Sequence, residues 1–537
     1  MKSTTSRAPD TAGVGRKVGA ASLIMMASVF LSRVIGLGRE VTVAYVGGAG
    51  AGVDAYQVAF VLPEILNHVV ASGFLSVTFI PLFARHLAEG REREGWRVFS
   101  AILTGFGLLL LMLIVLGEWF TPALVVLLAP GLDDPAVFAA AVRMTRIILP
   151  AQFFFFAGGL FMAVQFARER FAVPALAPLL YNMGIIGGGL FLGGRLGMEG
   201  FAWGVLAGAF AGNFLVQIWG ARRVGMRFRP RLDFGHPDVG RYLRLTLPLM
   251  VGLTMTFSTE IFFKFFGSFL PRGGIAALNY GLRVMLMLVG IFGQAAGVAS
   301  YPFLARMAAE GRRDEMNRLL NVTLRFLLLV IPLSALFMVL RQEVIRVLFQ
   351  RGAFDAADTL RTAGVMGWLL TGTAAFAAQT VVVRGFYATQ NTLFPAVFGT
   401  VAVLLSLPVY ALGLHFMGAR GVALAVAVSA TLQVWLLFVL WNRRSGNAAS
   451  RTVYRAFFRM LLLALLLGPP LELLRRWVAA NAGGWIDPAS WIGSLALCVG
   501  IGTLFVLLAV PLGRLLGIGE IDRFRDRLAD RLRRRGG

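Results

Sequence analysis

The feature that most constrains this chain is a series of apolar stretches, each long enough to cross a lipid bilayer. A bilayer core of about 30 Å needs about 20 apolar residues in helical form. The sequence contains about fourteen such stretches, at approximately 19–46, 54–84, 97–119, 137–166, 173–194, 200–220, 244–269, 275–304, 319–339, 360–383, 393–415, 421–441, 456–478 and 490–513. The connections are short, and the alternating pattern typical of a membrane β-barrel does not occur. The sequence therefore predicts an all-α polytopic membrane protein without a sizeable soluble domain.

Composition excludes several other classes of protein. Of the 537 residues, 58% are hydrophobic and 15% are charged, whereas a soluble chain is about half apolar and about a quarter charged. We therefore exclude a soluble enzyme, a disordered scaffold and an ordinary nucleic-acid-binding domain. The single cysteine, Cys498, allows no intramolecular disulfide. The sequence has no phosphate-binding loop and no serine-nucleophile motif, so we expect no cofactor, no metal and no enzymatic reaction.

The excess of basic residues indicates how the helices are oriented. The chain has 51 Lys and Arg against 27 Asp and Glu, which gives a net charge of +24. When the N-terminus is placed inside, roughly two thirds of the basic residues fall in inside segments. Because cytoplasmic loops collect Lys and Arg, we expect both termini in the cytoplasm. Most of the net charge then reflects topology and contact with anionic membrane lipids.

The chain repeats itself at a constant offset of 221 residues. The sequence AEGR occurs at 88–91 and again at 309–312. The same offset pairs Gly131 with Gly352, Asp134 with Asp355, Pro174 with Pro395, Gly197 with Gly418, and Arg222-Arg223 with Arg443-Arg444. We expect two six-helix lobes, at 1–223 and 224–444, which are parallel repeats about a pseudo-twofold axis along the membrane normal. Residues 445–516 then add two helices after the second lobe.

The final segment, 517–537, is basic and amphipathic. Its apolar residues recur at helical spacing among arginines, at Ile521, Phe524, Leu528 and Leu532. One interpretation is a cytoplasmic helix that lies on the anionic inner leaflet. The other is a solvated basic tail, and the sequence favours neither.

Charged residues inside the predicted helices indicate a functional site, because such charges are costly in a bilayer. They include Arg33, Arg39, Glu40, Asp54, Arg143, Arg146 and Arg283. One interpretation is a water-filled cationic cavity between the lobes, because the guanidinium fork binds phosphate at two points. The alternative is that each arginine reaches the membrane surface or pairs with a carboxylate, as Arg39 would with Glu40 or Asp54. The excess of arginines over acids favours the anion site.

A further charged pair lies in the seventh stretch. Glu260 and Lys264 are four residues apart and therefore share one helix face. We interpret them as a mutually neutralised pair that faces the helix bundle, in preference to a site for a coupling ion.

Several motifs resemble one family of transporters. They are LSRVIGLGRE from Leu31, RERFAVPALAPLLYN at 168–182, NYGLRV at 279–284, LFQRGAFDAADT at 348–359 and GFYATQNTLFPA at 385–396. In this order along the chain they resemble the MurJ (MviN) lipid II flippases of the MOP exporter superfamily. The resemblance implies fourteen helices, two lobes around a cationic cavity, and a groove for a polyprenyl tail at residues 445–516. It also implies translocation of lipid II, the undecaprenyl-pyrophosphate-linked peptidoglycan precursor, from the cytoplasmic to the periplasmic leaflet of the bacterial inner membrane.

The resemblance assigns roles to individual residues. It places Ser32, Arg33, Arg39 and Arg283 at substrate-binding positions. Glu40 and Asp54 would pair with the arginines when the site is empty or when the gate closes. The secondary candidates are Arg143, Arg146, Asn67, His68, Glu260 and Lys264.

The sequence departs from the family pattern at two places. Some members have two arginines and a Glu-Gly in the second helix, where this chain has Asn67-His68 and Ser72-Gly73. Some members bind sodium at positions that correspond here to Phe263, Ser406 and Tyr410, which are poor sodium ligands. We therefore expect the membrane potential to supply the energy.

Three alternatives to lipid II transport stay open. Two are in the same superfamily: a flippase for another polyprenyl-linked glycan of the O-antigen or capsule type, and a drug exporter. The third is a membrane scaffold that recruits cell-wall synthesis proteins without transporting anything. Cell-wall synthesis proteins are also candidate partners of a flippase, whereas nucleic acid is not expected as a partner.

Overall fold

The computed structural model describes residues 11–70, 78–481 and 487–520, and within them it contains helices and no strand. Residues up to 223 form α1 (Thr11–Gly47), α2 (Ala51–Ala59), α3 (Val61–Val70), α4 (Ile80–Ala88), α5 (Glu92–Leu128), α6 (Pro135–Ile148), α7 (Ala151–Ala167), α8 (Ala177–Leu196), α9 (Glu199–Gly208) and α10 (Val216–Arg223). Later residues form α11 (Pro237–Ser268), α12 (Gly274–Val289), α13 (Ala295–Ala309), α14 (Arg313–Leu327), α15 (Val330–Val339), α16 (Arg341–Phe349), α17 (Ala356–Leu369), α18 (Thr373–Ala388), α19 (Leu393–Met417), α20 (Ala419–Ser445), α21 (Arg451–Asn481) and α22 (Trp491–Leu515).

Eleven helical segments of the described chain are long and apolar enough to cross a membrane. They are Glu92–Leu128, Pro135–Ala167, Pro174–Leu196, Glu199–Arg223, Gly274–Gly293, Arg313–Val339, Ala356–Ala388, Leu393–Met417, Ala419–Ser445, Ala448–Asn481 and Trp491–Leu515. The all-α polytopic class predicted from the sequence is confirmed, while the count of fourteen stays a prediction. The other three stretches coincide with α1, with α2 to α4, and with α11.

The second predicted stretch, 54–84, is not one continuous helix. The first α-helix within it ends at Ala59, the next begins at Val61, and α4 begins at Ile80. Residues 71–77 lie outside the described chain, and Ser72-Gly73 is among them.

The described chain divides into two compact units. The first contains 1–46, 59–125 and 139–250, and the second contains 47–58, 126–138 and 251–537. Segments 47–58 and 126–138, which the repeat places in the first lobe, therefore pack within the second unit. The lobe boundaries at 1–223 and 224–444 stay a prediction. The basic tail from 521 onward lies outside the described residues.

The repeat is visible in the backbone of the two copies. Positive φ angles, which are uncommon outside glycine, recur at the offset of 221 residues. The matched positions are Gly90 (φ 70°) and Gly311 (φ 72°), Glu169 and Gln390 (both φ 58°), Gly197 (φ 57°) and Gly418 (φ 55°), and Gly225 (φ 84°) and Gly446 (φ 66°). Glu169 and Gln390 are the only non-glycine residues with positive φ in the described chain. The two copies therefore reverse direction through the same turns.

Glycines allow α8 and α9 to approach until their backbones touch. A Cβ atom on Gly188 would lie 2.5 Å from the Gly204 Cα, and one on Gly184 would lie 2.5 Å from the Gly208 Cα. Small residues spaced in this way are typical of tightly packed membrane helices, because close approach increases the dispersion contact between them. In the second copy, Gly413 and Gly421 bring α19 and α20 together in the same manner.

Replacing Gly204 with valine is expected to destabilise the protein by about 1–3 kcal/mol, the range for overpacking a tight contact. A Cβ here would lie 2.6 Å from the Gly184 carbonyl oxygen and 2.9 Å from the Ile185 Cα, and backbone atoms cannot move away without separating the helices. Thermal unfolding of the purified protein measures the effect. The control is Gly194→Val on α8, where a Cβ meets no atom within 4 Å. Equal unfolding midpoints for the two variants would contradict the packing argument.

The two C-terminal helices are integrated into the second unit. Helix α21 packs along α14 and α15, and α22 packs on α16. A buried charge cluster fixes the C-terminal part of α21: Arg475 Nη1 donates to Glu343 Oε1 at 2.9 Å, and Arg475 Nη2 donates to Glu472 Oε1 at 3.0 Å. Because a buried charge pair resists separation, α21 is held firmly to α16.

Candidate functional site

Arg39 lies at the centre of a polar site inside the first unit. Its Nη2 atom donates to Glu40 Oε1 at 2.6 Å, and its Nη1 atom donates to Asn182 Oδ1 of α8 at 3.2 Å. The Arg39 side chain is 22% exposed and that of Glu40 is 7% exposed. Adjacent residues of a helix point in different directions, so the two long side chains turn towards each other to pair. The site is thus electrically balanced while the guanidinium is oriented by an amide.

Glycine leaves open space beside this pair. A Cβ atom on Gly38 would meet no atom within 4 Å, and one on Gly36 would meet only the Asn182 amide oxygen, at 4.0 Å. Asn182 itself is held by a hydrogen bond from its Nδ2 to the Pro178 carbonyl, at 2.8 Å. Helix α1 runs without interruption from Thr11 to Gly47, so Gly36 and Gly38 lie within a continuous helix.

The other predicted substrate residues lie on α1 and on α12. Ser32 is half-buried and Arg33 is exposed, and Arg33 precedes Arg39 by six residues, or about 9 Å along a helix. Arg283 is half-buried on α12. It belongs to the second unit, whereas Arg33 and Arg39 belong to the first. A joint site formed by all three arginines stays a prediction.

Asp54 has a different partner from the arginine expected from the sequence. Its carboxylate is buried in the second unit and accepts hydrogen bonds from the backbone N–H groups of Gly273, at 2.5 Å, and Ala276, at 2.7 Å. These amides open α12, and the first N–H groups of a helix have no partner within it. An anionic carboxylate also interacts favourably with the positive end of the helix dipole. In this conformation Asp54 acts as a cap of α12.

The chain around Asp54 makes further contacts within the second unit. The N–H of Ala49 donates to Asp358 Oδ2 at 2.9 Å, and the Tyr280 hydroxyl donates to the Gly48 carbonyl at 2.9 Å. A Cβ on Gly273 would lie 1.9 Å from the Ala49 carbonyl oxygen. We call residues 47–58 and their partners on α12 and α17 the latch. Close backbone contact and buried hydrogen bonds make it well packed.

Segment 126–138 adds a second connection to the same region. Gly131 N donates to Ser268 Oγ at 3.0 Å, and Arg272 Nη2 donates to Asp134 Oδ2 at 2.6 Å. The backbone N–H of Ala136 and the Arg272 guanidinium hold the pKa of Asp134 below its ordinary value. Asp134 therefore stays ionised, and the connection persists, at neutral pH.

Arg143 and Arg146 each donate a hydrogen bond to an acceptor within the first unit. Arg143 Nε donates to Glu199 Oε1 at 2.7 Å, and Arg146 Nε donates to the Glu118 carbonyl at 3.2 Å. Both arginines are exposed. They are exposed residues with acceptors of their own, and the prediction that they line an anion site stays a prediction.

The remaining secondary candidates stay predictions. Asn67 is half-buried on α3, and the side chain of His68 lies outside the described residues. Lys264 is buried on α11 and Glu260 is half-buried. At the positions compared with a sodium site, Ser406 Oγ lies 2.9 Å from Ser429 Oγ, and the Tyr410 ring stacks on Phe266.

Two polar residues with notable surroundings, Asn182 and Arg384, were not predicted from the sequence as site residues. Asn182 could have been found, because a single amide in an apolar stretch usually faces another helix. Arg384 on α18 is half-buried, and its Nη1 atom has no hydrogen-bond acceptor within the described chain. The sequence gives less reason to single out Arg384, because it lies at the end of a predicted helix, where an arginine usually reaches the membrane surface.

Comparison with known protein families shows to which family the chain belongs. The profile of the family described as Lipid II flippase MurJ matches residues 43–480. The chain belongs to this family. The resemblance inferred from the sequence motifs is therefore confirmed.

Related proteins match the chain over most of its length. A lipid II flippase MurJ from Burkholderia cenocepacia is 29% identical over 495 residues, which cover 89% of this chain and 94% of the relative. A probable lipid II flippase MurJ from Rhizobium tropici is 28% identical over 506 residues, with 91% and 92% covered.

Solved structures support the fold. A lipid II flippase MurJ in an inward closed conformation has a TM-score of 0.73 at 22% identity, covering 92% of this chain and 99% of its own. An inward-facing multidrug resistance MATE family transporter of the MOP superfamily has a TM-score of 0.59 at 14% identity, with 79% and 98% covered. The chain thus has the helical fold shared by the MurJ and MATE transporters.

Proposed function

We propose that the protein is a flippase that moves lipid II from the cytoplasmic to the periplasmic leaflet for cell-wall synthesis. Family membership supports this substrate class, a polyprenyl-linked lipid. The observation that carries the proposal is the Arg39 site on α1: a guanidinium oriented by an amide, paired with a neighbouring carboxylate and close to open space beside Gly38.

The Arg39–Glu40 pair allows the site to exchange one anion for another. An arginine fork offers five N–H donors, which a pyrophosphate can accept in place of a carboxylate. As the substrate binds, its oxygens replace the Glu40 carboxylate, while Asn182 continues to orient the guanidinium. When the substrate leaves, the ion pair between Glu40 and Arg39 forms again. The empty site therefore never exposes an uncompensated charge, which would be costly in a membrane interior.

The other arginines would complete the binding of the pyrophosphate. In this proposal Arg33 and Arg283 share the charge with Arg39, and the Ser32 hydroxyl donates one hydrogen bond.

The latch would form and break during an alternating-access cycle. Its hydrogen bonds tie segment 47–58, which follows directly on α1, to the first turn of α12. Opening it would release segment 47–58 from α12. Asp54 would then lose its amide donors and become available to an arginine, as the sequence pattern suggested.

The proposed orientation explains how the membrane potential could drive transport. With both termini in the cytoplasm, the substrate moves outward across the inner membrane. Each negative charge that moves from the negative interior to the outside gains about 2.3 kcal/mol per 100 mV. A pyrophosphate-linked lipid is anionic, so outward flipping is favoured without a coupling ion.

A cavity in the second unit is a candidate for the polyprenyl tail. It has a volume of about 420 Å³ and lies between α15, residues 370–374 and α21. Its walls are mostly apolar, with Arg341 and Glu472 at the edge. This position agrees with the proposed tail groove at the C-terminal helices.

The test is complementation in a bacterium depleted of its own flippase, with the exposure of lipid II on the outer leaflet as the measurement. We expect the wild-type protein to restore exposure. Purified protein in vesicles that contain either lipid II or another undecaprenyl-linked glycan then identifies the substrate. A protein that is stable in the membrane but flips only the other glycan would overturn the lipid II assignment.

A further inference from the structure

Residues 226–234, between α10 and α11, form a segment without helix or strand, with a turn beginning at Phe234, that we call the basic strap. Hydrophobic residues at Phe228, Pro230, Leu232 and Phe234 alternate with Arg227, Arg229 and Arg231. Alternate side chains of an extended chain point to opposite sides. The arginines are exposed, and Phe228, Leu232 and Phe234 also remain 41%, 61% and 57% exposed. The strap therefore has one cationic edge and one apolar edge.

The strap is held in register on α5. The backbone N–H of Arg229 donates to Ser100 Oγ at 3.2 Å, and that of Arg231 donates to Thr104 Oγ1 at 3.3 Å. Two extended residues advance about 6.6 Å and four helical residues about 6 Å, so alternate strap amides meet successive turns of the helix. Arg97 Nε also donates to Asp233 Oδ2, at 2.8 Å. This geometry fixes where the three exposed arginines stand.

An apolar cavity of about 250 Å³ lies between the strap and helices that include α5 and α7. Its lining includes Leu103, Leu111, Phe153, Phe214, Phe228 and Pro230. It adjoins the outer surface of α5, where Leu108 and Leu111 are 51% and 41% exposed. A cavity with such walls suits a hydrocarbon chain.

Nearby groups indicate that this region lies at a membrane surface and is cationic. Trp219 is 48% exposed, and the Arg223 guanidinium lies 3.8 Å from the centre of its ring. Tryptophan is enriched at the membrane interface. The strap's own carboxylate, Asp233, is already engaged by Arg97 and lies 3.7 Å from Arg231, which leaves the strap with net positive charge.

We propose that the basic strap and the cavity beneath it form a binding site for an anionic phospholipid. Part of one acyl chain occupies the cavity, and the phosphate binds Arg227, Arg229 and Arg231. Both parts are needed, because arginines near a membrane attract anionic lipids in general, whereas a cavity of defined shape selects one that stays bound. The proposal does not depend on which substrate the protein flips.

The experiment uses the purified full-length chain in detergent with dioleoyl-phosphatidylglycerol, and native mass spectrometry counts the lipid that stays bound. We expect wild type to retain it, while dioleoyl-phosphatidylcholine is lost and soluble glycerol phosphate does not compete. The variant Arg227→Gln/Arg229→Gln/Arg231→Gln should bind about tenfold more weakly. A matched control, Arg306→Gln/Arg312→Gln/Arg313→Gln, removes the same charge from another basic region and should bind like wild type.

A second variant tests the cavity with every arginine in place. Gly107→Leu projects a side chain into the cavity, and a Cβ at Gly107 makes only ordinary contacts, with Phe153 at 3.5 Å. We expect it to weaken phosphatidylglycerol binding while the thermal unfolding midpoint without lipid stays within a few degrees. Equal losses in the strap and control triple variants would overturn the proposal, as would equal retention of the zwitterionic lipid. Lipid II flipping is measured separately, so loss of flipping with intact lipid binding counts against the proposed function alone.

Discussion

Replacing Arg39 and Glu40 together with glutamine is expected to abolish lipid II flipping while leaving the protein folded. The double change removes both charges at once, so no buried carboxylate is left without its partner, a defect that would itself be destabilising. What disappears is the cation that the proposal assigns to the pyrophosphate. Hydrogen bonds to charged groups contribute about 1.5–3 kcal/mol each, so losing the bidentate contact predicts a drop in rate of about 100-fold or more.

The measurement is lipid II exposure on the outer leaflet of depleted cells, normalised to the amount of protein in the membrane. Arg195→Gln is the matched control, since it removes an exposed arginine from α8, the helix that carries Asn182. It should retain wild-type exposure. Asn182→Leu should give an intermediate loss, because Arg39 keeps its charge but loses the amide that orients it. Full activity of the double variant would remove Arg39 from the proposed site.

The substitution Asp54→Ala is expected to lower both the stability of the protein and its rate of lipid II flipping. The change leaves the N–H groups of Gly273 and Ala276 without their buried acceptor. Loss of a helix cap costs about 0.5–2 kcal/mol, and unsatisfied buried amides place this case at the upper end. Because the latch is proposed to open and close in each cycle, we expect the unfolding midpoint to fall and flipping to drop at least tenfold.

A variant that removes another helix cap in the second unit distinguishes the loss of stability from the loss of flipping. Ser490 begins α22 and accepts a hydrogen bond from the Gly493 N–H at 3.0 Å, so Ser490→Ala removes a cap without touching the latch. It should lower stability slightly and leave flipping unchanged. Accessibility of a cysteine introduced at Gly50 provides an independent measure of latch opening, and Asp54→Ala should increase its labelling. Unchanged labelling together with normal flipping would show that Asp54 has a purely structural role.

Much of the fold could be predicted from the sequence because membrane insertion imposes simple rules. An apolar run of sufficient length must be helical, since a bilayer offers no partners to backbone N–H and C=O groups. The repeat could also be predicted, because glycine is favoured where the chain turns with positive φ. Glu169 and Gln390 show that the turn is conserved between the copies even where glycine is absent.

The charged residues of the site could be located from the sequence, but their partners could not. The sequence places Arg39 next to Glu40, and that local pair is present. It gave no reason to choose Asn182, which lies 143 residues away. It also suggested an arginine for Asp54, whereas the structure provides the amides that open α12. Unpaired amides at a helix start carry no signature in residue type, so only the packed structure reveals them.

The helical membrane class, the internal repeat and the charged residues within the predicted helices could all be inferred from the order of residues along the chain. These follow from local composition, because hydrophobic length and the cost of a buried charge depend on each residue and its near neighbours. The folded chain was needed to show which partner a charged side chain has, that segments 47–58 and 126–138 pack within the second unit, and that a basic strap covers an apolar cavity. Those properties depend on contacts between residues far apart in the chain, and the close packing of helices selects among the many pairings that composition alone permits.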